Sequence, residues 1–176
     1  MALNLPHLDD RTRKLMMDEM DGDHVAGRLY LSPRLNPEGR ANYGALLKQA
    51  AQAHDDVWLA GTLRNGYMAS HETRRTPSGA TTTAKVPFTA PDTLAEGEFN
   101  RFYIRALCLR ALADGVPHLV VYRAKQVEQP RTESQIRIGQ SVDPQALLAD
   151  LRTNTRVDTV LGLPPGPNSG LSVRLP

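Results

Sequence analysis

Residues 92–122 read DTLAEGEFNRFYIRALCLRALADGVPHLVVY, and this stretch decides the fold. Asp92 or Thr93 is placed to open a helix. Leu94, Phe99, Phe102, Tyr103, Ala106, Leu107, Leu109, Ala111 and Leu112 then spread apolar surface around most of its circumference, until Asp114-Gly115 ends it. A helix that is apolar on nearly every side belongs at the centre of its fold. Its one polar stripe is Glu98, Arg101 and Arg105, and Arg110 and Asp114 are spaced to pair at i, i+4. Beyond Pro117, Leu119-Val-Val-Tyr122 is the clearest strand of the chain. Period two carries Leu119, Val121, Arg123, Lys125 and Val127 onto one of its faces.

Towards the amino terminus the pattern is helical. Asp9 and Asp10 offer a cap, and a helix is expected from Asp10 to Val25 with Gly27 behind it. Asn36-Pro37 pairs a capping side chain with a proline suited to the first helical position, and Tyr43, Leu46, Leu47 and Ala50 continue the stripe to about His54. Asp55 and Asp56 cap a third, short helix, and Arg28–Ser32 is read as a short strand. Towards the carboxyl terminus, Ile136–Ile138 is read as a strand and Asp143-Pro144 as the start of a helix. Val157–Leu161 follows as a further apolar run, and Leu171–Leu175 is read as the last strand. The expected fold class is α+β: a helical part over 1–63, an extended arm or long loop over 64–92, and over 93–176 a central helix packed on a small mixed β-sheet.

Residues 64–92 are the least ordinary segment. They hold Gly66, Pro77, Gly79, Pro87 and Pro91 among several threonines and show no clear period. Connections of that length inside a domain are uncommon and usually functional or disordered. Thr81 to Phe88 suits an extended strand, and Thr81, Thr83, Val86 and Phe88 are the expected contacts to a neighbouring subunit.

Composition works mainly by exclusion. Leu, Val, Phe and Ile make up about 23% of the 176 residues, just above the range in which chains fail to bury a core, and the net charge is only +2. The richest apolar run is broken by Arg105 and Arg110, so no membrane span is expected. The first ten residues lack a basic start and an apolar run, so no secretory leader is expected either. The lone Cys108 sits inside a helical pattern and reads as core packing in a reducing, cytoplasmic setting.

No familiar catalytic pattern emerges. The five histidines are scattered and have no cysteine cluster, so no metal site and no cofactor are expected. Gly162 to Gly170 is glycine-rich, but its prolines remove the backbone donors a phosphate cradle requires. Ser78 and Ser169 lack the strained elbow of a serine nucleophile.

What remains is charge. Residues 1–60 carry 7 basic and 9 acidic side chains, and residues 61–140 carry 11 and 7. Arg101 and Arg105 lie one turn apart, Arg123 and Lys125 share a strand face, and Arg131 follows. Four cations brought together would repel unless an anion neutralised them, so this constellation is the expected site for nucleic acid or an acidic protein surface. Internal salt bridges with Glu96, Glu98, Glu128 and Glu133 are the alternative. The expected function is a non-enzymatic structural or adaptor subunit of a larger, cytoplasmically assembled complex, oligomeric and in contact with other protein subunits. A virus-like particle or a nucleic-acid-associated assembly would fit. The alternative is a small metal-dependent, nuclease-like enzyme.

Overall fold

Three consecutive N-terminal helices begin at side chains that can cap them. The Asp9 carboxylate accepts from the backbone of Thr12, Asn36 from Gly39 and Asp55 from Trp58, each answering one of the donors a helix start leaves open. The computed structural model, which describes residues 2–77, 79–126, 132–154 and 170–176, accordingly has α1 at Asp10–Val25, α2 at Pro37–Ala53 and α3 at Asp56–Arg64. Arg28–Ser32, expected as a strand, is irregular.

The segment 64–92 contains a hairpin. Strand β1 (His71–Arg75) pairs antiparallel with β2 (Thr81–Lys85), so the expected extended arm is a two-stranded ribbon that folds back on itself. The bend is built on the Thr76 N–H donating to Ala80 and on Gly79 at φ 84°. At the base, the Val86 N–H donates to the Ser70 carbonyl at 3.0 Å.

Helix α4 (Ala90–Ala113) begins two residues earlier than Asp92, with Pro91 in its first turn. It is central, packing against α1, α2 and α3 and, further along the chain, α6 and β5. The second sheet is formed by β3 (Leu119–Arg123), β4 (Ser141–Val142) and β5 (Leu171–Arg174) in the order β4-β3-β5, with α5 (Thr132–Arg137) and α6 (Pro144–Thr153) between its strands. Both pairings are antiparallel, which corrects the expected mixed sheet: β4 and β5 each run against β3. The strand expected at Ile136–Ile138 is instead α5 and the turn behind it. Ser141 and Val142 take the edge of β3, and Ile136 stands 65% exposed. Val127 and Val157–Leu161 lie outside the described residues.

One cluster of buried apolar side chains runs from Met16 on α1 through Tyr43, Leu59, Phe99 and Leu107 to Leu119, Leu147 and Val173, so the helical part and the sheet share a core. Cys108 is fully buried in it. The segment before α1 straps across this core. The Leu3 N–H donates to Asp56 at 3.1 Å, the Asn4 N–H to Ala124 at 2.8 Å and the His7 N–H to the Tyr103 hydroxyl at 3.2 Å. Arg110 and Asp114 do not pair with each other. The N-terminal turn of α1 lies beside them, so Arg110 binds Asp9 at 2.7 Å and Asp114 binds Arg11 at 2.7 Å.

Two glycines on helices make opposite predictions. A Cβ at Gly39 would run into the Tyr67 carbonyl oxygen, backbone that cannot swing aside, whereas a Cβ at Gly97 meets nothing within 4 Å. Gly39→Ala should therefore destabilise by about 1–3 kcal/mol. Gly97→Ala, in a helix interior, should stabilise by about 0.5–1 kcal/mol. Urea midpoints moving in the same direction for both would contradict this packing.

Candidate functional site

The polar stripe of α4 faces inward. Positions 98, 101 and 105 recur near one helical azimuth, and Glu98 and Arg105 are only 7% and 2% exposed. Helix α1 meets them with Glu19 and Asp23, which share its inward face with Met16 and Met20. The Arg105 guanidinium donates to Glu19 at 2.7 Å and to Asp23 at 3.2 Å, and its plane lies 4.8 Å over the Phe102 ring. Arg152, from α6, donates its Nε to the same Glu19 at 3.0 Å, and Arg28 reaches Asp23 at 3.4 Å. Arg101 sits 3.6 Å from Glu98 and donates to the Asn154 carbonyl at 2.7 Å. The result is an ionic seam along the contact of α1, α4 and α6.

The electrostatics within the seam are uneven. Burial acts to raise the Glu19 carboxyl, but hydrogen bonds and charge from Arg152 and Arg105 outweigh it and hold the group below its ordinary value. For Glu98 burial wins: against the pull of Arg101 and Arg105, and with Asp23 adding repulsion, its carboxyl is pushed up to about 7. Tyr43 lies fully buried beside it, its hydroxyl without a hydrogen-bond partner among the described residues, and burial, Glu98 and Tyr30 together push that hydroxyl up. A carboxyl that changes charge near neutrality has the right proton affinity for acid–base work. Glu98 is nevertheless enclosed in the seam, only 7% exposed.

Arg123 and Lys125 go elsewhere. Arg123 donates to Ser134 at 3.2 Å and to Gln135 at 3.1 Å, and Lys125 is ion-paired with Glu96. Nine residues separate Glu96 from Arg105, about two and a half helical turns, so these pairs occupy opposite sides of α4. The basic residues expected to converge are therefore held apart, each engaged within the fold. Arg131 and Glu128 lie outside the described residues. Of the expected internal acidic partners, Glu96 and Glu98 take part, but the principal ones, Glu19 and Asp23, were missed. Their signal was the i, i+4 spacing on the same side as Met16 and Met20.

The expected subunit contacts fall on the hairpin and its exit. Thr81 and Thr83 are exposed on β2 and Val86 is half-buried at the base. Phe88 is 78% exposed, with the Arg64 guanidinium 5.0 Å over its ring and Arg64 bound in turn to Asp92 at 2.6 Å. An open pocket of about 440 Å³ lies between the N-terminal strap and the ends of α2 and α3. Arg13 on its wall is engaged within the fold, donating to the Ala51 and His54 carbonyls at 2.7 and 2.9 Å, and Trp58 is stacked on His54 at 4.3 Å. Among the described residues no three His, Cys, Asp or Glu side chains gather as a metal-binding group, and no helix is long and apolar enough to cross a membrane. No protein-family model, curated protein or solved structure matches this chain.

Replacing one member of a buried ion pair strands the other. Arg105→Met should cost about 3–5 kcal/mol in urea denaturation, because Glu19 and Asp23 would lose their central partner. Glu98 should act with the opposite sign. Its folded-state value lies above the unfolded one, so it weakens the wild type as pH rises from about 4.5 to about 7. The stability of Glu98→Gln relative to wild type should therefore rise by roughly 3 kcal/mol between pH 4 and pH 8. A pH-independent difference would show that folding leaves the proton affinity of Glu98 unchanged and would contradict this reading.

Proposed function

We propose that this chain is a non-enzymatic structural or adaptor subunit of a larger, cytoplasmically assembled complex, and that the β1–β2 hairpin is the element it lends to neighbouring protein subunits. The observation that carries this reading is how little the hairpin gains from its own chain. Eight of its ten strand residues are exposed, only Glu72 and Ala84 are half-buried, and among the described residues the two strands form a sheet with no third strand. A lone two-stranded hairpin is marginal in water. Addition of its open edge to another sheet would satisfy the outward backbone groups of Thr81 to Lys85. The exposed Phe88 at its exit would supply an apolar anchor beside that edge.

The seam supports the same reading from the other side. Arg101, Arg105 and Lys125, which an enzyme acting on nucleic acid would aim at its substrate, are engaged by Glu98, Glu19, Asp23 and Glu96. No observation favours the nuclease-like alternative. The burial of the lone Cys108 accords with a reducing compartment.

Because Ser70 and Val86 are already hydrogen-bonded across the base, residues 71–85 can be replaced by a short Gly-Ser turn without reaching the core. Native mass spectrometry should find the wild type above monomer mass and the excised variant at monomer mass, with unchanged helical circular dichroism. A wild-type monomer, or an oligomer that survives the excision, would overturn the proposal.

A further inference from the structure

The two faces of the hairpin differ in a way that its edges do not. The register sets His71 opposite Lys85, Thr73 opposite Thr83 and Arg75 opposite Thr81, and directly opposed residues project to the same side. That side holds His71, Thr73, Arg75, Thr81, Thr83 and Lys85, all of them exposed, and no carboxylate. The other side holds the half-buried Glu72 and Ala84 with Arg74 and Thr82, and is tied down by Arg34, which binds Glu72 at 2.5 Å. The inward acid thus neutralises Arg34 and Arg74, while among the described residues neither Arg75 nor Lys85 forms an ion pair.

This face keeps two cations of the basic stretch 61–140 exposed and outside any ion pair among the described residues, whereas Arg123 and Arg137 are hydrogen-bonded to neutral side chains. Arg64, Arg74, Arg101, Arg105, Arg110 and Lys125 are each paired with a carboxylate of the same chain. We infer that the His71–Arg75 and Thr81–Lys85 ribbon presents its cationic, threonine-bearing face to the major groove of double-stranded DNA. Charge and size both favour this ligand. The groove is about 12 Å wide and admits a two-stranded ribbon. Arg75 and Lys85 stand at opposite ends and on opposite strands of the face, about 13 Å apart along the ribbon, a span that sets one cation near each phosphate wall. The hydroxyls of Thr73, Thr81 and Thr83 lie between them, suited to phosphate oxygens and base edges. An A-form RNA duplex, whose major groove is deep and narrow, fits this ribbon poorly. The inference rests on the hairpin's being the contact element of the proposed subunit. It uses the face, whereas subunit addition uses the edge.

The test is fluorescence anisotropy with a labelled 24-base-pair DNA duplex across a salt series starting at 50 mM, on the full chain and on Arg75→Gln/Lys85→Gln. The wild type should bind, and the double variant should bind more weakly, with the slope of log affinity against log salt reduced by about two. Its native mass should stay unchanged, since the strand edge is untouched. An RNA duplex of the same sequence should bind more weakly than the DNA. A wild type that fails to bind at 50 mM salt, or a double variant with unaltered affinity and slope, would overturn the inference. So would equal binding of the RNA duplex, or displacement by poly-glutamate as effectively as by unlabelled DNA, which would mark the face as a site for acidic protein. Loss of subunit assembly on hairpin excision is a separate readout, so failure of DNA binding is distinguishable from failure of the subunit reading.

Discussion

The guanidinium of Arg105 is the point on which the packing of α1, α4 and α6 depends. Apart from Arg101 and Glu98 its surroundings on α4 are apolar, and burying an unpaired cation among them would cost far more than a small domain can spare. Glu19 and Asp23 resolve this from α1, and Glu19 in turn takes Arg152 from α6. A buried pair of this kind is weak evidence for net stability, since apolar residues of equal volume often do as well. What it does enforce is alignment. Because Glu19 and Asp23 are themselves one turn apart, sliding α1 by one turn along α4 would leave Arg105 with one of the two and bury the other without its partner. The apolar part of the α1 face, Met16 and Met20, would survive such a slip far better, because methionine repacks readily.

Glu98 shows the cost of putting carboxylates so close together. Burial and the nearby Asp23 push its charge out, while Arg101 and Arg105 draw it in. The arginines satisfy Glu19 in full and Glu98 only in part, because Arg105 is shared and Arg101 lies 3.6 Å away while also holding the end of α6. The same set of charges therefore stabilises one acid and destabilises another.

Local chemistry was legible in the sequence and long-range partnership was not. Asp9, Asn36, Asp55 and Asp143 each cap the helix that follows, as expected of short polar side chains at those places. Leu119 to Tyr122 is β-branched or aromatic enough to declare itself a strand. His71 to Arg75 is not: it has no apolar residue, and its place in a ribbon comes from pairing with Thr81 to Lys85, which no window of sequence contains. Ile136 and Ile138 misled for the converse reason, since alternation over three residues fits a strand as well as one turn of α5. For the basic residues, spacing along an element showed which shared a face. Whether α1 or a ligand answered that face depended on the fold.

The uneven charge of the chain illustrates the same limit. An acidic first third and a basic middle looked like a surface awaiting an acidic partner. In the fold much of that imbalance closes on itself: Asp9 meets Arg110, and Glu19 and Asp23 meet Arg105. The acidic segment is in effect the first anionic partner of the basic one, and the docking of α1 on α4 is the association that the asymmetry encodes. Subtracting those internal pairs turns a diffuse compositional bias into a local one. Arg75 and Lys85 share a hairpin face with no acid, so part of the remaining positive charge stands on an element with little burial of its own.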